Sequence, residues 1–243
     1  MSMALLMLAT VTAAQLPRTF TFTVGSTPTV SVRDIMGDIK VEAVAGDSVT
    51  IDASAHGGDA AARARWAIEA TGDAGHVDVR VRCAEGEDRH CRDEVAVNFK
   101  LRVPKGSRME LHGVASDVTL SGVTGPVRIQ TVSGDVVVTS PSEPATQLEM
   151  QTVSGELEFA GACGDGCRLR AHTVSGDINL HLDAASNFDL RYQALSGDLR
   201  DDLGLTLSSS PRRHRSSASG RYRGGGGEID CNSVSGDLKL ARR

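Results

Sequence analysis

The sequence predicts an all-β fold, a β-solenoid of stacked rungs, and three observations carry that expectation. The triplets Ser133-Gly134-Asp135, Ser154-Gly155-Glu156, Ser175-Gly176-Asp177 and Ser196-Gly197-Asp198 recur with a constant step of 21 residues, and Ser235-Gly236-Asp237 returns 39 residues later. A fixed period of roughly 20 residues marks one supersecondary unit stacked several times. Apolar and polar residues alternate on both sides of each triplet, the period of a strand with one buried face. Composition agrees, because aromatics are only 3% of 243 residues while 40% are hydrophobic and 26 are Gly. The core must therefore come from Val, Leu, Ile and Ala in thin repeated layers. A net charge of −5 supplies no general field for nucleic acid or an anionic membrane.

In chain order, Met3 to Ala14 is an apolar run too short to span a bilayer but matching the core of a secretory signal, though it lacks positive leader residues. Residues 1–14 are expected to be a signal peptide, cut before Gln15. With no Cys after the run and no anchor in Ala241-Arg242-Arg243, the expected product is exported, periplasmic or at the cell surface, with no transmembrane segment once the signal is removed.

Residues 15–110 are expected to form a β-rich N-terminal part. Phe20, Phe22 and Val24 alternate, Val30, Val32, Ile39 and Val41 flank Gly37-Asp38, and Val49 and Ile51 follow. Ala60 to Arg65 can begin a short helix. Trp66, Ile68, Ala70 and then Val77, Val79, Val81 predict a hairpin about Gly72 to Gly75, and Val95 to Val103 alternate up to Pro104. Cys83 and Cys91 enclose a charged loop, Cys163 and Cys167 enclose Gly164-Asp165-Gly166, and both pairs are disulfide candidates that suit an oxidising compartment. A zinc site using His90 is the alternative, but neither pair has finger spacing.

Residues 111–243 are expected to hold the solenoid repeats. Aligned on their serines, Val127, Leu148, Leu169, Leu190 and Ile229 stand six residues upstream, and Ile129, Met150, Ala171, Tyr192 and Cys231 four upstream. After the triplet come Val136, Leu157, Ile178, Leu199 and Leu238. Each unit reads strand, tight corner, strand and variable arm. Val132, Val153, Val174, Leu195 and Val234 interrupt the alternation just before the corner, and a bend there is expected to turn both apolar faces to one interior. Cys231 falls in an inward column, as a buried, unreactive thiol. Between 208 and 227 a basic Gly/Ser/Arg-rich interruption carries Arg212, Arg213, Arg215, Arg221 and Arg223, which reads as a mobile loop or a loosely formed extra rung and a possible contact for an acidic polymer or headgroup.

Glycine in the triplet fits a positive φ, and the flanking Ser and Asp can bond the turn's own amides. The competing reading is that Asp135, Glu156, Asp177 and Asp198 bind calcium, but calcium takes about six to eight oxygens and the glycine-rich repeats that supply them are missing. No cofactor is expected. The outward file Gln130, Gln151, His172, Gln193 and Asn232 reads as a solvated face. No catalytic residues stand out: carboxylates recur evenly with no singular acid–base cluster, no Gly-x-Ser-x-Gly elbow occurs, and Gly224 to Gly227 is not followed by Lys-Ser or Lys-Thr.

The chain also resembles a bacterial putative-adhesin family of unknown function, related to the head (GIN) domains of autotransporter-like adhesins. The resemblance rests on Asp34-Ile35-Met36-Gly37-Asp38-Ile39-Lys40-Val41-Glu42, the Val103-Pro104-Lys105-Gly106 junction, the Thr-Val-Ser-Gly-Asp units and the Gly-rich stretch before the last unit. It implies a single-stranded, right-handed β-solenoid, exported or associated with the cell surface, with an adhesive role and no catalytic residues to carry over. The expected function is that of a non-enzymatic envelope scaffold whose flank or loops bind a protein or glycan of the cell envelope. Some relatives look like companions of envelope-stress regulators, so a sensor is one alternative and a polysaccharide-active β-helix another. Ser116-Asp117 without its glycine and the broken fourth repeat depart from the family pattern.

Overall fold

The computed structural model describes residues 17–83, 95–140, 147–209 and 216–243. The N-terminal part forms β1 (Arg18–Thr23), β2 (Thr29–Arg33), β3 (Met36–Val44), β4 (Ser48–His56), α1 (Ala60–Ala64), β5 (Trp66–Gly72), β6 (His76–Cys83) and β7 (Ala96–Pro104). Next come β8 (Arg108–His112), β9 (Ala115–Ser121), β10 (Val127–Gln130), β11 (Val136–Thr139), β12 (Gln147–Ser154), β13 (Leu157–Gly161), β14 (Arg168–Ser175) and β15 (Ile178–Leu182). The chain closes with β16 (Phe188–Ser196), β17 (Leu199–Asp201), β18 (Thr206–Ser209), β19 (Ser216–Tyr222), β20 (Gly227–Ser235) and β21 (Leu238–Arg242).

These strands make two sheets that enclose one core. One runs β1-β4-β7-β3-β9-β11-β13-β15-β21-β17, the other β18-β19-β16-β20-β14-β12-β10-β8-β2-β6-β5. A rung is one strand from each, joined through the Ser-Gly-Asp corner and returning by an arm. Equivalent side chains lie in register: Val136 pairs with Leu157, Leu157 with Ile178, and Ile178 with Leu238. The inward columns are almost wholly aliphatic and fully buried. A lone rung cannot repay the entropy of ordering its residues, and the parallel hydrogen bonds to the rungs on either side make the array stable where the unit is not.

Spatial order departs from chain order at both ends. The rung β20/β21 is inserted between β14/β15 and β16/β17, so Ser235-Gly236-Asp237 lies between the 175 and 196 triplets. Likewise β2/β3 lies between β6/β7 and β8/β9. Both sheets run without a break past residue 110, and β8 spans that boundary. The expected helix is α1, whose Asp59 Oδ1 caps it by accepting from Ala62 N at 2.7 Å. The expected hairpin is β5 against β6.

Two expectations need correction. Val132, Val153, Val174, Leu195 and Val234 do not help fill the interior but stand at the surface, because the chain bends only after them, at the glycine. Within the described residues the basic stretch between 208 and 227 is neither a loop throughout nor a further parallel rung: β19 pairs antiparallel with both β16 and β18, so Ser216–Tyr222 extends one sheet.

Candidate functional site

The corner edge is where the repeats concentrate chemistry. Gly134, Gly155, Gly176, Gly236 and Gly197 all have φ between 139° and 156°. A Cβ on any of them would also collide with the backbone carbonyl of the rung beneath. Close stacking and backbone conformation therefore demand glycine together. The ladder continues through the turn, with Gly134 N donating to Ser154 O at 3.1 Å and Gly236 N to Ser196 O at 3.1 Å.

The acidic column is held by the backbone. Asp117 Oδ1 accepts from Asp135 N at 2.9 Å, Asp135 Oδ1 from Glu156 N at 2.8 Å, Asp177 Oδ1 from Asp237 N at 2.8 Å, and Asp237 Oδ1 from Asp198 N at 2.9 Å. Each carboxylate thus bonds the amide of the neighbouring rung, not its own turn, and these donors offset repulsion between like charges about 4.8 Å apart. Asn98 Oδ1 plays the same part for Asp38 N at 3.0 Å. Glu156, one methylene longer, instead bonds Asn179 Nδ2. Among the described residues no group of three or more His, Cys, Asp or Glu side chains is placed to hold a metal ion.

The rung that lacks glycine is compensated. Ser116 occupies the glycine position and is buried, while Gly113 stands where Thr131 and Thr152 stand in later rungs, leaving room for the Ser116 side chain. Ser116 Oγ donates to Asp34 Oδ2 at 3.0 Å. Burial pushes the Asp34 carboxyl up to about 6, against the hydroxyl of Ser116 and the amides of Ile35 and Met36, which pull it down.

On the outer face of the second sheet the signs alternate. Arg128 binds Glu149 at 2.8 Å, while Arg168 and Arg191 both reach Glu228 at 3.0 Å. A cleft of about 210 Å³ opens there, lined by Arg108, Arg128, Arg168, Arg170, Glu110 and Glu149 among others. The file of Gln130 and Gln151 is joined side chain to side chain at 3.0 Å. Such exposed pairs are worth little individually.

The remaining candidates scatter. Cys163 and Cys167 form a disulfide at the arm edge, Cα to Cα 5.4 Å. Cys91 and the Cys83 side chain lie outside what the structure describes, so that pairing stays an expectation. Arg221 binds Asp189 at 2.8 Å, and Arg223 stacks on Tyr222 and donates to Ala184 O. Arg212, Arg213 and Arg215 lie outside the described residues. Cys231 is free and buried, and desolvation pushes its thiol far up, which makes it inert. Sequence reasoning missed the exposed aliphatic file at the corner and the Asp34–Ser116 pair. The first was legible as an apolar residue preceding every triplet, the second as the exchanged glycine.

Parallel rungs built from one repeated strand–corner–strand unit define an all-β protein of the solenoid kind. The chain belongs to the Toastrack DUF4097 family, whose pattern matches residues 26–241. Among solved structures it is similar to a putative cell adhesion protein from Clostridium sporogenes, at 6% identity and TM-score 0.49, with 94% of this chain and 100% of that one covered. It is also similar to a putative adhesin from Bacteroides fragilis, at 9% identity and TM-score 0.33, covering 95% of this chain and 100% of the other. A putative lipid binding protein from Parabacteroides distasonis matches at 9% identity and TM-score 0.24 over 93% and 97% of the two chains. No curated protein matches significantly.

Proposed function

We propose that the protein is an exported, non-enzymatic, adhesin-like component of the cell envelope, periplasmic or at the cell surface, that holds a protein or glycan along the flank or loops of a right-handed solenoid. The observation that carries this reading is the in-register stacking of equivalent positions, which sets outward polar and charged side chains in files at one fixed spacing from rung to rung, a ruled surface suited to an extended partner. Its residues perform positional work: amides hold the carboxylate ladder, and ion pairs tie neighbouring strands. The apolar leader at 1–14 and the disulfide at Cys163–Cys167 fit an oxidising compartment.

The test is capture of envelope proteins and glycans by the exported chain, with a companion variant carrying Arg212→Glu, Arg213→Glu and Arg215→Glu. Selective capture by the wild type supports the reading. Unchanged capture by the variant removes the basic segment as the contact, and turnover of any captured glycan overturns the non-enzymatic assignment. Mass spectrometry of the exported product checks the expected N-terminus at Gln15.

A further inference from the structure

The exposed aliphatic residues are not scattered. Ile35, Val114, Val132, Val153, Val174, Val234 and Leu195 are each 41–55% exposed, and register places them in a single file, one on each of the seven successive rungs from β2/β3 to β16/β17. At about 4.8 Å per rung the file is a ridge ~29 Å long. A contiguous apolar strip of this kind marks an interaction surface, whereas single exposed valines need no explanation.

What lies beside the ridge selects the partner. Register sets Asp38, Asp117, Asp135, Glu156, Asp177, Asp237 and Asp198 in a parallel file three residues on. Between the two files stand only the small corner residues, save Met36 at one end. The edge is therefore an aliphatic ridge, a low shelf and a row of carboxylates. An anionic polymer or anionic lipid surface is repelled by that row, while a segment with one apolar and one cationic face matches both files. A helix is the natural shape, because its pitch of about 5.4 Å is close to the rung spacing.

We propose that the corner edge is the docking surface for a cationic amphipathic helical segment, the ridge taking its aliphatic side chains and the carboxylate row its Lys or Arg side chains. This rests on the reading of the protein as a binder of macromolecules and names the surface and the partner's chemistry.

The probe is a fluorescent 18-residue amphipathic Leu/Lys peptide, with its Leu/Glu counterpart as control, titrated with the full chain and followed by anisotropy. Two triple variants separate the files. Val132→Thr/Val153→Thr/Val174→Thr keeps β-branched residues at exposed sites, and Asp135→Asn/Asp177→Asn/Asp237→Asn keeps the acceptor oxygen, as Asn98 does beneath Asp38. Circular dichroism and thermal melting confirm that both fold. The expected result is saturable binding of the Lys peptide, weakened at least tenfold in each variant and by raised salt, with no binding of the Glu peptide. Equal affinity in the valine variant, or equal binding of both peptides, overturns the proposal. So does a wild-type dimer that the valine variant abolishes while the peptide fails to compete, or preferential binding to phosphatidylglycerol vesicles. If the peptide fails while envelope capture by the chain persists, the corner assignment falls and the binding role stands; if both fail, the role falls too.

Discussion

The two ends of the stack solve the same problem with unequal means. At the N-terminal end antiparallel strands cover both sheets, β4 and β1 on β7 in one and β5 on β6 in the other. At the C-terminal end only the second sheet is covered, by β19 and β18, and the first ends in the three-residue β17. At each end the chain's first or last rung is also threaded one place inward, so neither β2/β3 nor β20/β21 is the outermost parallel rung. Antiparallel caps and very short edge strands deny another chain a template for continued parallel pairing. Asp201 completes the C-terminal stop. Its carboxylate accepts from Leu203 N at 2.9 Å and Leu205 N at 2.6 Å, turning the chain away where an inward apolar residue would have prolonged the strand.

That contrast can be broken first at the corners. Gly236 lies in the threaded rung, where an added Cβ meets the Gly176 backbone, so Gly236→Ala should cost about 3 kcal/mol or more. Gly166 also has a positive φ but open space around it, and Gly166→Ala should cost only about 1–2 kcal/mol. Urea denaturation compares the two, and equal losses would remove close stacking as the cause.

Next in size is the core column. Leu238 is fully buried between two rungs, whereas Leu199 on the outer rung is only half-buried. Leu238→Ala should cost about 3–4 kcal/mol and Leu199→Ala roughly half that. Parity would mean that the outer rung is as tightly packed as the threaded one.

At the opposite end, Asp34 adds a pH signature. Its folded pKa of about 6 lies above that of an unfolded carboxyl, so the native state binds the proton more tightly. The contribution is fully present below about pH 4 and is lost as pH rises through 6. Asp34→Asn should therefore gain about 2 kcal/mol relative to wild type between pH 4 and 7, read from paired denaturation curves. A flat difference would refute the assignment.

The smallest effect concerns the one Glu among the carboxylates of the repeat corners. Glu156→Asp restores the length that lets Asp135 and Asp177 reach the next amide, and a gain of about 0.5–1 kcal/mol is expected in thermal melts.

Much of the spine was legible because a constant step fixes register without knowledge of topology: Val136, Leu157 and Ile178 share a period, and they share a column. Rung order was not legible. The 39-residue gap before Ser235 reads equally as a long arm or as a cap followed by a return, and only cross-strand pairing distinguishes them. The exposed ridge was hidden for a related reason, since an apolar residue beside a turn reads inward unless the position of the bend is known. The N-terminal rungs carried weaker marks: Asn98 stands in the acidic column and still accepts from the next rung's amide, and Ser116 stands in place of glycine, its side chain housed beside Gly113 and bonded to Asp34.

The most direct test is a cross-link across the disputed neighbours. Asn179 and Lys239 face outward on paired strands, as do Lys239 and Arg200, so Asn179 and Arg200 are two rungs apart. Under mild oxidation, Asn179→Cys with Lys239→Cys should form a disulfide detectable by peptide mass mapping, and Asn179→Cys with Arg200→Cys should not. The reverse pattern would show rungs stacked in chain order and would contradict the threaded architecture.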